Sequence, residues 1–191
     1  MKISRFYAAL SVLFVVVMAA GALAPAAIAK EGPKDINSIV DVALAANAQT
    51  GEFSILIAAL QAADPAVIQA LDSRGQYTVF APTDAAFASL LAELSVSAND
   101  LLSNQALLTT VLLYHVAPGS RDAADVISSD RIRTLQGGFL FQDGGMLTDA
   151  NGRMSNIIAT NIFADNGVIH VIDTVVPVSY THLTLPTKRI V

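Results

Sequence analysis

Residues 77–94 read YTVFAPTDAAFASLLAEL, and their reading decides the fold. Tyr77, Thr78, Val79 and Phe80 are strand formers bounded by Gly75 and Pro82, which suits a buried strand. Pro82 has no N–H for a ladder, so the strand is expected to end there. Thr83 or Asp84 then offers a side-chain acceptor to the free N–H groups of a following helix. Phe87, Leu90, Leu91 and Leu94 fall at i, i+3, i+4 and i+7, one apolar stripe. The stretch predicts a core strand turning sharply into an amphipathic helix. It holds no nucleophile with a base beside it.

Upstream of this unit the period is helical. Ile36, Ile39, Val40, Ala43 and Leu44 predict a helix to about residue 46, with a break at 47–51. Phe53, Leu56, Ile57 and Leu60 predict a second. Asp64-Pro65 is a cap followed by proline at the first helical position, opening a third to about Leu71. Downstream, 99–103 and 104–113 predict two more, and Asp122 caps a brief helix through Ile127. From Arg131 the period becomes strand-like. Runs at 132–135, 139–142, 146–148, 156–163 and 168–176 are separated by Gly-Gly and Asn-Gly pairs, which are hairpin signals. Helices first and strands second predict an α+β fold in one domain, residues 36–176.

The ends differ from this core. Met1–Ala29 has the plan of a secretory signal peptide: Lys2 and Arg5, an apolar run from Ala8 to Ala24, and Ala27-Ile28-Ala29 as a small-x-small cleavage site. Export to the periplasm or beyond the cell is the expectation, with no transmembrane span in the mature chain. Residues 30–35 are a polar leader. The tail 177–191 breaks the strand pattern and reads as foreign, adaptor-like sequence or as a disordered tail.

Charge excludes whole classes of function. From Lys30 to Val176 there are seven Lys and Arg against sixteen Asp and Glu, hence −9. Nucleic acid needs a basic surface to displace counterions, and anionic lipid likewise. The chain has no cysteine, so neither disulfides nor thiolate metal sites are available.

Candidate chemistry is sparse. His115 and His170 are the two histidines of the domain, and no G-x-S-x-G elbow occurs. His170 shares a strand face with Val168 and Ile172, which predicts a buried, hydrogen-bonded ring. Asp149-Ala150-Asn151-Gly152 opens like a calcium loop, but Arg153 and Thr160 occupy positions that need oxygen ligands. The expectation is a non-enzyme with no catalytic, cofactor or metal residues.

Three segments carry a resemblance. TVFAPTDAAF at 78–87, LLYHVAPG at 112–119 and NGVIHVID at 166–173 occur in the order of the signature boxes of fasciclin domains, which this chain resembles from about Ile36 to Val176. The resemblance implies helices packed on a wedge of two β-sheets. It implies adhesion or matrix association through a protein or polysaccharide of the matrix or cell surface, in a secreted module of bacterial type. Tyr114-His115 matches the tyrosine–histidine motif of animal fasciclin domains and is the candidate partner contact, although apolar flanks favour a structural role. The alternative reading is a lipid or small-molecule binder of the cell envelope, with apolar helical stripes lining its pocket. The oligomeric state is left open by the sequence.

Overall fold

The structure is a computed structural model and describes residues 37–176; the expected signal peptide, leader and tail lie outside the described residues. Seven helices and seven strands follow in the order α1 (Ile39–Thr50), α2 (Ser54–Ala62), α3 (Pro65–Leu71), β1 (Tyr77–Pro82), α4 (Asp84–Leu94), α5 (Ala98–Leu102), α6 (Gln105–Tyr114), β2 (Val116–Pro118), α7 (Ala123–Ile127), β3 (Arg131–Arg133), β4 (Phe139–Asp143), β5 (Met146–Thr148), β6 (Met154–Ala164) and β7 (Gly167–Ile172). The α+β expectation holds.

The helix starts show why these segments fold locally. Ser38 and Asp41 form a reciprocal capping box on α1. Asp64 caps α3 with Pro65 in its first turn, as the sequence predicts. Thr83, not Asp84, caps α4, its hydroxyl accepting from the Ala86 N–H. The Asp84 carboxylate instead accepts from the N–H groups of Ser54 (3.1 Å) and Ile55 (2.8 Å). It thereby supplies α2 with the cap that Phe53, at its N-cap position, does not. Helix α1 runs past the expected break at 47–51 and stops at Gly51, whose φ of 71° is the left-handed conformation of a C-terminal cap.

The strands hydrogen-bond in one continuous order, β2-β1-β7-β6-β5-β4-β3. β1 and β7 are parallel; every other pair is antiparallel. The long β6 joins two arms, pairing with β5 through residues 154–156 and with β7 through residues 157–164. The Leu135 N–H donates to the Val116 carbonyl at 2.7 Å, drawing the chain after β3 back to β2, so the sheet nearly closes on itself.

Two cores result. The larger lies between the helices and the β1–β7 arm and includes Leu56, Leu60, Phe87, Leu90, Leu108, Leu112 and Ile169. The second lies inside the curl and draws on both arms: Phe80, Tyr114, Ala117, Ile132, Leu140, Leu147, Ile172 and Val176. Every strand of the curl except β6 gives it a fully or almost fully buried apolar side chain, and Ile157 of β6 packs on it partly buried.

Candidate functional site

Tyr114 ends α6 and His115 follows it; both side chains are 3% exposed. The Tyr114 hydroxyl donates to the Phe139 carbonyl at 2.8 Å, tying α6 to β4. Burial pushes its pKa up, so it remains a neutral donor. His115 Nδ1 faces the Val111 carbonyl at 2.7 Å, while its Nε2 accepts from the Val176 N–H at 3.1 Å. These partners select the neutral ring with its proton on Nδ1. Burial lowers the His115 pKa to about 4, against a smaller opposing effect of the Val111 carbonyl. The motif is thus turned inward. In the same box only Pro118 and Gly119 are exposed.

The third box is also internal. The Asn166 side chain donates to the carbonyls of Leu71 (2.6 Å) and Ser73 (2.7 Å) and accepts from the Ile39 N–H (2.8 Å). One amide joins the end of α3, the start of α1 and the β6–β7 turn. A methyl group at Gly167 would stand 2.0 Å from the Tyr77 carbonyl oxygen, so the parallel β1–β7 approach requires glycine there. His170 is fully buried, stacks on Phe80 at 5.8 Å and faces the Arg121 carbonyl through Nε2 at 3.0 Å. Burial lowers its pKa too. Asp173 takes bonds from the backbone and side chain of Asn156, each 2.8 Å, fixing the start of β6.

Asp149 forms a turn rather than a cation loop: one carboxylate oxygen accepts from the Asn151 N–H (2.7 Å) and the Arg153 N–H (2.9 Å). Among the described residues, no group of three or more His, Cys, Asp or Glu side chains is placed to share a metal ion. A wholly apolar cavity of about 30 Å³ lies between the helices and β1, bordered by Ile39, Leu56, Leu60, Val79, Leu112 and Ile169 among others. Small-molecule sites occupy about 300–1,000 Å³, so this space holds no acyl chain without rearrangement.

What the sequence reading missed is on the outside. The inward row Ile132, Leu140, Leu147 and Ser155 is 0% exposed throughout. Its outward counterparts on β3 to β6 include Arg131, Arg133, Phe139, Phe141, Thr148 and Met154. Period-two alternation in 131–133 and 139–141 was the available signal: each run reads polar or aromatic on both sides of one aliphatic residue.

A sequence profile described as "Fasciclin domain" matches residues 51–177. Protein sll1483 of Synechocystis is 40% identical over 142 residues, 73% of this chain and 72% of that protein. Immunogenic protein MPB70 of Mycobacterium bovis is 32% identical over 148 residues, covering 75% and 73%. Transforming growth factor-beta-induced protein ig-h3 of Sus scrofa is 37% identical over 125 residues, 64% of this chain but 17% of its own length. Among solved structures, the FAS1 domain pair from the insect cell adhesion molecule Fasciclin I aligns with a TM-score of 0.52 at 20% identity, over 64% of this chain and 44% of that one.

Proposed function

The chain belongs to the fasciclin family, and on that premise we propose that it is an exported, non-catalytic module that attaches to a protein or polysaccharide of the matrix or cell surface. The observation that carries this reading is how the domain is distributed. It makes up about three quarters of small bacterial relatives, yet 17% of a large animal protein. A unit used both nearly alone and as one part of a long chain suits attachment, which adds through repetition and tethering. The solved neighbour comes from a cell adhesion molecule, which supports the same reading.

In this reading Tyr114 and His115 act from within. They hold residues 112–119 against β4 and Val176, and any contact near that box is made by exposed neighbours such as Pro118 and Gly119. Attachment then falls to exposed loops and strand faces on a rigid frame.

The test is binding of the labelled, exported protein to cells and extracellular polymer of the producing organism, beside an inert protein of equal negative charge. Saturable binding in excess of that control is the expected result. Binding no greater than the control at any concentration would sink the proposal.

A further inference from the structure

The rows of the outer face are in register. Arg131 stands opposite Phe141, Phe141 opposite Thr148, and Thr148 opposite Met154, while Arg133 stands opposite Phe139. Directly opposed side chains on antiparallel strands are about 4.5–5.5 Å apart, so the six form one continuous surface. Phe139, Phe141 and Met154 are 36%, 47% and 60% exposed. Arg131 lies over the Phe139 ring, 5.1 Å from its centroid. Neither Arg131 nor Arg133 forms an ion pair with another described residue.

The core of the curl is built without these side chains. The inward row already fills the core of the curl, and the opposite face of these strands would fold as well with polar side chains. Phenylalanine, methionine and arginine are the residues enriched where proteins meet, and lysine and carboxylates are depleted there. The charge is also local. Residues 37–176 carry five cations, all arginine, against fourteen acids, yet two of the five stand together here and the six-residue surface contains no acid. Asp143, the last residue of β4, is exposed on the same face two positions beyond Phe141 and opposite Met146, and so places one carboxylate at the rim of this surface; Asp130 precedes β3.

We propose that the outer face of β3, β4, β5 and the start of β6 docks a protein partner whose surface presents apolar side chains flanked by carboxylates. This rests on the attachment reading and narrows its partner class to protein. The two guanidinium groups recognise carboxylates by paired N–H donors. Phe139, Phe141 and Met154 supply apolar area. A polysaccharide fits less well, because the hydroxyls it would bury need partners, and between the arginines and the rim only Thr148 offers a polar side chain: Asp143 stands at the end of β4, and the Asn156 amide is already bonded to Asp173.

The experiment uses the full exported protein and fluorescent probes: a twelve-residue peptide of alternating Asp and Leu, its Lys/Leu and Asp/Ser counterparts, and polygalacturonate. Variants are Phe141→Ser, Arg133→Glu and, as a control on an exposed aromatic elsewhere on β6, Phe163→Ser. Circular dichroism and thermal unfolding check the fold of each, and sedimentation follows self-association. The expected result is saturable Asp/Leu binding, at least about tenfold weaker for Asp/Ser and for polygalacturonate. Phe141→Ser and Arg133→Glu should each weaken it about tenfold or more while Phe163→Ser does not. Equal or tighter polygalacturonate binding lost in the same variants would overturn the proposal in favour of a carbohydrate face. Self-association abolished by Phe141→Ser would overturn it in favour of a second copy of the chain. No binding of any probe, or binding indifferent to the variants, would also overturn it. Binding to intact extracellular polymer separates this from the broader reading: attachment retained by folded Phe141→Ser refutes the face alone. Peptide binding without polymer attachment refutes attachment alone.

Discussion

Both ring nitrogens of His115 are bonded in the folded chain, one to a carbonyl and one by an N–H, and only the neutral ring satisfies both. Protonation would place a second N–H against the Val176 N–H. Folded His115 takes a proton only near pH 4, whereas the unfolded ring does so near its ordinary 6.5. The fold therefore has this contribution in full above about pH 6.5 and loses it as pH falls toward 4, by about 3 kcal/mol in all. His170, also held neutral by burial, adds in the same direction. Urea unfolding between pH 7.5 and pH 4.5 should show the fall, and His115→Leu, less stable throughout, should show a shallower one. An unchanged slope in that variant would refute the assignment. At the same scale, Gly167→Ala should cost about 3 kcal/mol or more in chemical unfolding, because the added methyl meets backbone rather than a side chain that can yield. These residues show the limit of reading single positions. A buried role for His170 was legible from period two, and apolar flanks favoured one for the Tyr114-His115 pair. Their hydrogen-bond partners at Arg121, Phe139 and Val176 were not, since those contacts join residues 25 to 61 positions apart.

Elements depend on caps that arrive from elsewhere in the chain. α2 begins at Phe53 without a side-chain cap, and Asp84, at the start of α4, closes its first turn from 29 and 30 residues away. Asp84→Ala should therefore destabilise the protein by about 1–2 kcal/mol, as should Thr83→Ala. The two are separable by hydrogen exchange. Asp84→Ala should speed exchange in the first turn of α2, and Thr83→Ala in that of α4. Identical patterns would contradict the division of roles. Boundaries followed local chemistry where that chemistry sat in sequence: α3 and α7 begin at Asp64 and Asp122 as predicted. The short β2 was not foreseen, because Val116–Pro118 has strand character only in pairing with Tyr77–Val79. Helix α1 outran its predicted end because no residue before Gly51 takes the left-handed cap.

For the molecule as a whole, the three signature boxes are its internal frame. They supply the parallel β1–β7 pair, the α6–β2 corner and the Asn166 junction, and they meet in the two cores. The sequence motifs name the family because they build the fold, and for the same reason their side chains are turned away from solvent. The exposed surface, where partners are met, lies mostly outside them and carries no motif to read. The α+β class and the family were legible in patterns and boxes; the seven-stranded order was not, because it depends on β6 serving two arms. The most direct measurement is hydroxyl-radical footprinting of the protein, free and bound to extracellular polymer of the producing organism. The expected result is that Met154, Phe141 and Phe139 react in the free protein and are protected on binding, while Phe163, 64% exposed elsewhere on β6, is unchanged. Protection confined to residues around 112–119, with Phe141 and Met154 reacting as in the free protein, would contradict the account.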